Sequence, residues 1–230
     1  MRQRGIDPIL RWTFQRRLLR WYRSHGRDLP WRKTRDPYRI LVSEVMLQQT
    51  QVERVLGYYD RFLKRYPTVE ELAAARPHEV REAWDGLGYY ARAKYLHQAA
   101  RKVVRRYGGQ FPRSYDEAKT LPGVGSYTAG ALLSFAFNIE APTLDTNVKR
   151  LLSRVFIRRS FPRPAHMEAR LQHLNRVLIP KGNAWTFNQA LMDFGALICT
   201  AKSPRCGICC FTDICTAYPK LTRNREKGVR

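Results

Sequence analysis

Two carboxylate side chains in this sequence stand in settings that suit acid chemistry. Glu44 lies in the middle of residues 38–52, which are apolar nearly all round at helical spacing and so indicate a buried helix. A glutamate enclosed by apolar groups has a raised pKa and can be kept as a general acid. For Glu44, a structural ion pair with an arginine is the competing interpretation. Asp145 directly precedes an apolar and basic helical pattern and is predicted to be its N-cap.

A short glycine-rich turn comes before another apolar helical pattern. Residues 121–125 read Leu-Pro-Gly-Val-Gly, and a helix is predicted to open at Ser126 or Tyr127. Proline fixes one backbone angle, whereas glycine allows a positive φ or a close backbone approach. The free N–H groups at such a helix start can bind a phosphate that reaches them across the turn. From these residues alone, a tight turn between two ordinary helices and a hairpin that binds DNA phosphates explain the pattern equally well.

All five cysteines fall between residues 199 and 215, directly after a helical pattern. Cys199, Cys206, Cys209 and Cys215 are separated by 6, 2 and 5 residues, and Cys210 is left over as a spare thiol or a rival to Cys209. A secreted disulfide framework would scatter its cysteines, so this grouping favours a metal or cluster loop in a reducing compartment. Four thiolates suit tetrahedral Zn²⁺ or a [4Fe–4S] cluster, and the single short pair favours the cluster.

The chain is strongly basic along most of its length. Its 230 residues hold 42 Lys and Arg against 19 Asp and Glu, a formal net charge of +23. This excess suggests a polyanionic partner, and it runs through apolar periodic segments, which indicates a folded protein rather than a disordered arm. No apolar run approaches transmembrane length and no signal-peptide core is present, so a membrane is not the expected partner.

The elements that would position these groups are predicted to be helices throughout. Helical spacing recurs and period-2 alternation does not persist, so the fold class is all-α. The predicted helices cover residues 8–24, 38–52, 91–107, 164–178 and 183–198, with short helices after capping boxes at Thr68 and Ser114. Tyr89 and Tyr90 follow a glycine-rich break and are either core residues or wedges beside a displaced base. Residues 26–32 are expected to be a solvated loop, and residues 216–230 a frayed basic tail.

These pieces occur in an order that resembles the helix-hairpin-helix DNA glycosylase superfamily, and within it the MutY-type adenine DNA glycosylases. The matching segments run from about Leu29 to Cys215 and are LPWR, SEVMLQQTQV, GLGYYARAKYL, LPGVGSYTAG, LDTNVKR, FNQALMDFGALIC and the four-cysteine loop. The resemblance implies a two-lobed fold. Residues 30–135 would form a six-helix barrel lobe with the hairpin, and residues 1–29 with 136–230 a cluster-bearing lobe. It also implies that the loop at residues 199–215 holds a [4Fe–4S] cluster.

The resemblance also implies roles for individual residues. Glu44 would protonate the adenine leaving group at N7, and Asp145 would stabilise or transiently capture the oxocarbenium ion at C1′. Tyr127 and Asn147 match residues that support that centre. Residues implied in contacts with the flipped base or the DNA are Trp31, Arg32, Leu47, Gln48, Gln49, Tyr89, Leu121, Gly123, Val124 and Gly125, and the implied cluster ligands are Cys199, Cys206, Cys209 and Cys215. An acid for the base and a negative charge for the sugar cation are also what cleavage of an N-glycosidic bond requires.

The implied activity is that of a monofunctional DNA N-glycosylase, which removes adenine mispaired with guanine or 8-oxoguanine after flipping it out of double-stranded DNA. Endonuclease III relatives place a Schiff-base lysine where this chain has Tyr127, so strong lyase activity is not expected. The protein would act as a monomer, associated with the nucleoid in the cytoplasm of a prokaryote.

Two alternatives stay open at the level of the sequence. MutY-type chains continue into a domain that reads 8-oxoguanine, whereas this sequence ends soon after Cys215, as in short relatives that remove thymine or uracil opposite guanine. Length therefore favours a thymine or uracil mismatch glycosylase, and the LQQTQV segment favours adenine. The third possibility, a non-catalytic cluster protein that binds DNA, gives no reason for Glu44 and Asp145 to coexist.

Overall fold

The computed structural model describes residues 6–157 and 164–226. These residues form helices joined by short turns, and no strand is found among them, which confirms the all-α class. By their internal contacts they divide into two compact units. One unit comprises residues 28–141, and the other the described parts of residues 1–27 and 142–230. None of the helices in the described ranges has the length and apolar character needed to cross a membrane.

The unit of residues 28–141 is built around a buried helix. This helix, α2 (Pro37–Met46), packs against α3 (Val52–Arg65), α6 (Ala91–Tyr107) and α8 (Ser126–Phe137). The shorter helices of the unit are α4 (Val69–Ala74) and α5 (Pro77–Ala83), which pack on α6, and α7 (Tyr115–Lys119), which packs on α8. All of α2 from Tyr38 to Met46 is buried except Arg39, so side chains on this helix have little freedom to move.

The predicted helix over residues 38–52 is wrong in its second half. The helix ends at Met46, and Gln49 adopts a φ of 56°, a left-handed conformation through which a right-handed helix cannot continue. Gln51 then forms the extended N-cap of α3. The apolar run contains neither glycine nor proline and so gave no sign of this break. In consequence Leu47, Gln48 and Gln49 lie in a turn rather than on the helix that carries Glu44.

The unit formed by the two ends of the chain has an aromatic core. In it, α1 (Pro8–His25) and α9 (Thr146–Phe156) pack on α11 (Ala184–Leu197), and α10 (Pro164–Leu178) packs on α9. Phe211, which belongs to the cysteine loop, stacks on Phe14 with ring centroids 4.5 Å apart and lies 4.8 Å from Phe194. The loop is therefore anchored in the same core as the helices.

Several helix starts are capped by side chains, and the caps at Thr68 and Ser114 were predicted from sequence. Thr68 accepts from the Glu71 N–H at 3.2 Å, and Ser114 accepts from the Glu117 N–H at 3.2 Å. Asp36 accepts from the Tyr38 N–H at 2.8 Å at the start of α2. These local bonds satisfy N–H groups that a helix leaves without an internal partner.

Two further expectations about loops were wrong. Residues 216–226 are not a frayed tail, because α12 runs over Tyr218–Glu226; residues 227–230 lie outside the described part of the chain. The segment 26–32 is not a solvated loop either. Its end forms a 3-10 turn at Pro30–Arg32 in which Trp31 is only 7% exposed and meets the Tyr59 ring edge-on at 5.4 Å.

Candidate active site and cysteine loop

Glu44 occupies the interior of the central helix of its unit. The residue is 4% exposed and lies on α2 among buried neighbours, as the apolar pattern predicted. Asp36 caps the start of this helix, and the 3-10 turn that carries Trp31 and Arg32 packs against it. An enclosed carboxyl group gives up its proton less readily than an exposed one, so such a position suits a proton donor.

The turn after α2 presents polar side chains at the surface. Leu47 and Gln48 are half-buried, whereas Gln49 is exposed and has the left-handed backbone described above. Tyr89 has the same unusual property, with a φ of 48°, and is 61% exposed. Tyr90 is 39% exposed, so neither tyrosine belongs to the core. Of the two interpretations open from sequence, a core role for these tyrosines is excluded.

The glycine-rich turn joins α7 to α8 in a compact hairpin. Leu121 and Val124 are buried and anchor the turn. Gly123 has a φ of 74°, and a Cβ at this position would lie 2.7 Å from the Cβ of Tyr95, so a larger residue is excluded twice over. Gly125 is exposed and forms the N-cap of α8, and as a glycine it supplies no capping side chain. A helix start of this kind is a place where an anion can bind.

Asp145 is held at the start of α9 in the unit formed by the chain ends. One carboxylate oxygen accepts from the Val148 N–H at 2.6 Å, which confirms the predicted N-cap, and the other accepts from Asn147 Nδ2 at 3.0 Å. Burial raises the pKa of Asp145, against the lowering effect of these two donors and of the Arg150 charge. The carboxylate is fixed in position by its hydrogen bonds and is only partly exposed to water.

Arg150 connects this helix start to the segment that opens the cysteine loop. Its Nη2 donates to Asn147 Oδ1 at 2.8 Å and to the Gly195 carbonyl at 2.7 Å, and its Nε donates to the Cys199 carbonyl at 2.7 Å. The contact is possible because α11 approaches α9 closely: a Cβ on Gly195 would lie 2.8 Å from the Asn147 carbonyl oxygen. A chain of direct hydrogen bonds therefore runs from Asp145 through Asn147 and Arg150 to Cys199.

The four predicted cluster ligands surround one cavity. Cys199, Cys206, Cys209 and Cys215 line it together with apolar side chains such as Leu151, Val155 and Ile198. All four are free thiols. Among the described residues, no group of three or more His, Cys, Asp or Glu side chains is arranged to hold a single metal ion. A four-thiol, apolar-walled cavity fits a cluster as the bound group.

The fifth cysteine stands apart from this cavity. Cys210 is not among the lining residues, whereas Cys209 is. The carbonyl group of Cys210 accepts from Arg17 Nη1 at 2.9 Å, and Arg17 also pairs with Asp213. Burial raises the pKa of Cys209 to about 12 and that of Cys210 to about 11, so neither thiol is a free thiolate at neutral pH without a metal. The geometry favours Cys209 over Cys210 as the ligand.

Sequence reasoning missed two buried or half-buried arginines, Arg92 and Arg150, each of which binds groups in or next to candidate site residues of its own unit. Arg92 is 7% exposed on α6, where it lies on the same helical stripe as Leu96 and Val103. A cation on an apolar stripe is a signal that could have been found, since arginine is rarely buried without partners. Arg150 had a weaker signal, because the carbonyl groups that it binds are distant in sequence.

Two known protein-family models match the parts of the chain described above. Residues 42–176 match the model of the HhH-GPD superfamily base excision DNA repair protein, and residues 199–215 match the iron-sulfur binding domain of endonuclease III. The cysteine loop is therefore the [4Fe–4S] site that the sequence predicted, and zinc is not supported.

The chain is similar both to adenine DNA glycosylases and to thymine-DNA glycosylases. It is 42% identical over 226 residues to the adenine DNA glycosylase of Rattus norvegicus, an alignment that covers 94% of this chain and 44% of that protein. It is 41% identical over 210 residues to the thymine-DNA glycosylase of Aeropyrum pernix, covering 90% of this chain and 94% of that one. The structure of a thermostable thymine-DNA glycosylase superimposes with a TM-score of 0.83 and 34% identity, covering 92% of this chain and 98% of that chain.

The chain spans about half the length of the mammalian adenine glycosylases that it matches. The family model nevertheless covers more than half of the chain, including the helix of Glu44, the hairpin and the capped start of α9. The fold, the hairpin and the cysteine loop thus agree with one assignment: this chain belongs to the HhH-GPD superfamily of base excision DNA repair proteins.

Proposed function

We propose that the protein is a monofunctional DNA N-glycosylase that removes adenine mispaired with guanine or 8-oxoguanine. The observation that carries this proposal is the presence, on a base-excision repair scaffold, of one enclosed carboxyl group on a helix interior and one hydrogen-bonded carboxylate at a helix start. Similarity to adenine DNA glycosylases, at 46% identity over 193 residues for the protein of Mycolicibacterium smegmatis, supports adenine as the base.

In this mechanism Glu44 donates a proton to N7 of adenine as the bond to the sugar breaks. Asp145 supplies the negative charge that the developing oxocarbenium ion requires. Its hydrogen bonds to Val148 and Asn147 hold the carboxylate in place, so little reorganisation accompanies the reaction. A water then adds to C1′, with Glu44 as its base. Tyr127, half-buried in the first turn of α8, and Asn147 support the reacting centre.

Access to the glycosidic bond requires that the base leave the stack. Gln49 and Tyr89 are exposed, which suits side chains that enter the duplex and fill the gap left by the flipped base. The hairpin, with its anchors Leu121 and Val124 and its glycines Gly123 and Gly125, binds a DNA phosphate at the start of α8. Trp31, Arg32, Leu47 and Gln48 contact the displaced adenine.

The cluster has a structural role in this proposal. Cys199, Cys206, Cys209 and Cys215 would hold the cluster. Bound by four thiolates, the cluster would stabilise this loop in addition to Phe211, which packs in the protein core. Lys202 and Arg205 on the same loop are exposed and positively charged, so that the braced loop meets the DNA backbone.

A thymine or uracil mismatch glycosylase is the second candidate. It is favoured by the thymine-DNA glycosylase of Aeropyrum pernix, nearly all of which the chain covers. Adenine is preferred here because the LQQTQV segment, residues 47–52, resembles the MutY-type enzymes and is expected to touch the pocket of the flipped base.

The test is single-turnover cleavage of four duplexes that contain A opposite G, A opposite 8-oxoguanine, T opposite G, and U opposite G. Abasic sites are revealed by alkali, and omission of alkali measures lyase activity. We expect adenine release without strand cleavage, and the ratio of the first two rates measures recognition of 8-oxoguanine. Release of thymine or uracil alone would establish the second candidate instead. Binding to all four duplexes without release of any base would leave a non-catalytic DNA-binding protein.

Three further properties belong to this proposal. The barrel lobe corresponds to residues 30–135 and the cluster-bearing lobe to residues 1–29 and 136–230. The protein acts as a monomer on mispaired double-stranded DNA, which light scattering of the free protein and of its complex would test. It works at the nucleoid of a prokaryotic cell, which fractionation would test.

A further inference from the structure

One buried guanidinium group in the unit of residues 28–141 makes an unusual number of contacts with the backbone. Arg92 Nη1 donates to the carbonyl groups of Val45, Met46 and Gln48 at 3.1, 2.6 and 2.5 Å. Its Nη2 donates to the carbonyl groups of Leu87 and Gly88 at 3.4 and 3.1 Å. A charged group that is 7% exposed needs such partners, because burial without them is costly. Three of the five carbonyl groups belong to the end of α2 and the turn that follows it, and two belong to the segment that precedes α6.

Each of these two segments leads into a residue with left-handed backbone. The first segment, residues 45–48, spans the end of α2 and the turn after it and precedes Gln49, with a φ of 56°. The second segment, residues 87–88, precedes Tyr89, with a φ of 48°. Residues other than glycine rarely adopt this conformation, and it persists only where the surroundings impose it. The terminal nitrogens of one guanidinium group thus hold the backbone immediately before both strained residues.

The same guanidinium group also contacts aromatic rings. Its central carbon lies 5.4 Å from the centre of the Tyr89 ring and 5.5 Å from that of the buried Trp84 ring. Trp84 Nε1 in turn donates to the Gly88 carbonyl at 3.1 Å. The buried guanidinium group of Arg92 therefore contacts the ring of the exposed Tyr89 and helps to orient it.

We propose that Arg92 is a positioning residue that sets the distance and orientation between Gln49 and Tyr89, so that both side chains enter the duplex together. This inference rests on the proposed function, in which those two side chains fill the gap left by a flipped base. Lysine could not replace the guanidinium, because a single ammonium cannot reach carbonyl groups on both segments in the planar geometry of the fork. Arg54, which is exposed, binds the Gly86 carbonyl, next to the second segment.

The test is a mutant cycle on single-turnover cleavage. Arg92→Lys and Arg92→Met are each measured in the wild-type background and in the double variant Gln49→Ala, Tyr89→Ala. In the wild-type background we expect a rate loss of about 100-fold, the size that a misplacement of about 1 Å can cause. In the double variant the same substitution should cost less than about fivefold, because the side chains that it positions are gone. Arg101→Met, an exposed change on the same helix, is the control.

A purely structural role predicts a different result. If Arg92 only stabilised the fold, its replacement would slow both backgrounds by the same factor, and the proposal would be overturned. Melting temperature and iron content verify folding for each variant. Should Arg92→Met not fold, Arg92→Lys retains the charge and most of the volume. If Arg92→Lys cleaved at the wild-type rate, the proposal would also be overturned, because an ammonium group would then be enough.

A second readout separates this inference from the proposed function. 2-Aminopurine placed beside the mispair reports loss of stacking on binding and does not depend on bond cleavage. If the wild-type protein cleaves none of the four duplexes, the proposed function fails, yet the fluorescence rise still tests Arg92. We expect the rise in wild type and its loss in Arg92→Lys; equal rises in both proteins would refute the positioning role.

Discussion

Glu44 and Asp145 are both carboxylic acids, but the chain builds their surroundings in opposite ways. Glu44 lies inside a helix that is packed on several sides by other helices. Asp145 stands at the first position of a helix, where backbone and side-chain N–H groups point at its two oxygens. Enclosure favours the protonated form of a carboxyl group, and N–H donors favour the ionised form. At Asp145 the donors offset the effect of burial only in part, because its pKa is still raised. The difference teaches that a carboxylate can be held ready for an anion role by directed N–H groups even where burial opposes its charge.

The largest expected effect comes from neutralising either carboxyl group. Glu44→Gln removes the proton donor, and Asp145→Asn removes the charge while preserving the shape and the capping ability of the side chain. We expect each to lower the single-turnover rate at least about 100-fold. Binding to mispaired duplex, measured by fluorescence anisotropy, should change little.

The control for this experiment is Asp7→Asn. Asp7 caps α1 through the Leu10 N–H at 2.9 Å, so it matches Asp145 as a helix cap without its proposed chemistry. Its rate should stay at the wild-type level. Unchanged cleavage in Glu44→Gln would mean that the enclosed carboxyl group is not the acid, and the contrast between the two sites would lose its functional meaning.

Asp145 and Glu44 also differ in how well their settings could be predicted from the sequence. Asp145 was predictable from a few neighbouring residues, because an N-cap is a local interaction. Glu44 needed the apolar pattern of a whole helix, and that pattern was right about burial but wrong about where the helix ends. The backbone just before the break at Gln49 is bound by Arg92, which lies more than 40 residues away, and no local signal marked this contact. The cysteine ligands were predictable from spacing, but only the cavity distinguished Cys209 from Cys210.

Asp145 is also connected by hydrogen bonds to the cysteine loop of its own unit. Cys209→Ala and Cys210→Ala are a matched pair of neighbours, of which only Cys209 lines the cavity. We expect Cys209→Ala to lose iron, and Cys210→Ala to keep the wild-type iron content and absorbance. Because Arg150 reaches from Cys199 to Asn147, loss of the cluster should also slow cleavage. Equal iron loss in both variants would make Cys210 a ligand or a necessary support.

A smaller effect should follow from removing the donor that Asn147 gives to Asp145. The Asn147 Nδ2–H favours the ionised carboxylate, so Asn147→Ala should raise the pKa of Asp145 further. Cleavage needs the ionised form and is lost as the pH falls through that pKa, so the acidic limb of the pH–rate profile should move to higher pH. We expect a loss of about tenfold at neutral pH, the size of one hydrogen bond to a charged group.

Thr146→Ala is the control for that profile, since Thr146 is an exposed neighbour on the same turn. Its acidic limb should coincide with that of wild type. If the limb stays in place in Asn147→Ala as well, the acidic limb belongs to another group, and the hydrogen bond from Asn147 does not tune Asp145.

The smallest effect concerns stability and separates the two tasks of Asp145. Asp145→Ala removes the cap of α9 and should lower the free energy of unfolding by about 1 kcal/mol, whereas asparagine caps as well as aspartate.

Burial raises the pKa of Asp145, so the folded state binds a proton more tightly than the unfolded state, and the charge costs stability at neutral pH. Asp145→Asn removes that cost, and we expect it to melt at or above the wild-type temperature at pH 7. Towards acidic pH the wild-type protein recovers this contribution as Asp145 becomes protonated, so the advantage of Asp145→Asn should shrink. Urea unfolding at several pH values measures both changes. A variant Asp145→Asn that is less stable than wild type at neutral pH would show that the carboxylate stabilises the fold, and that its charge is not kept solely for the reaction.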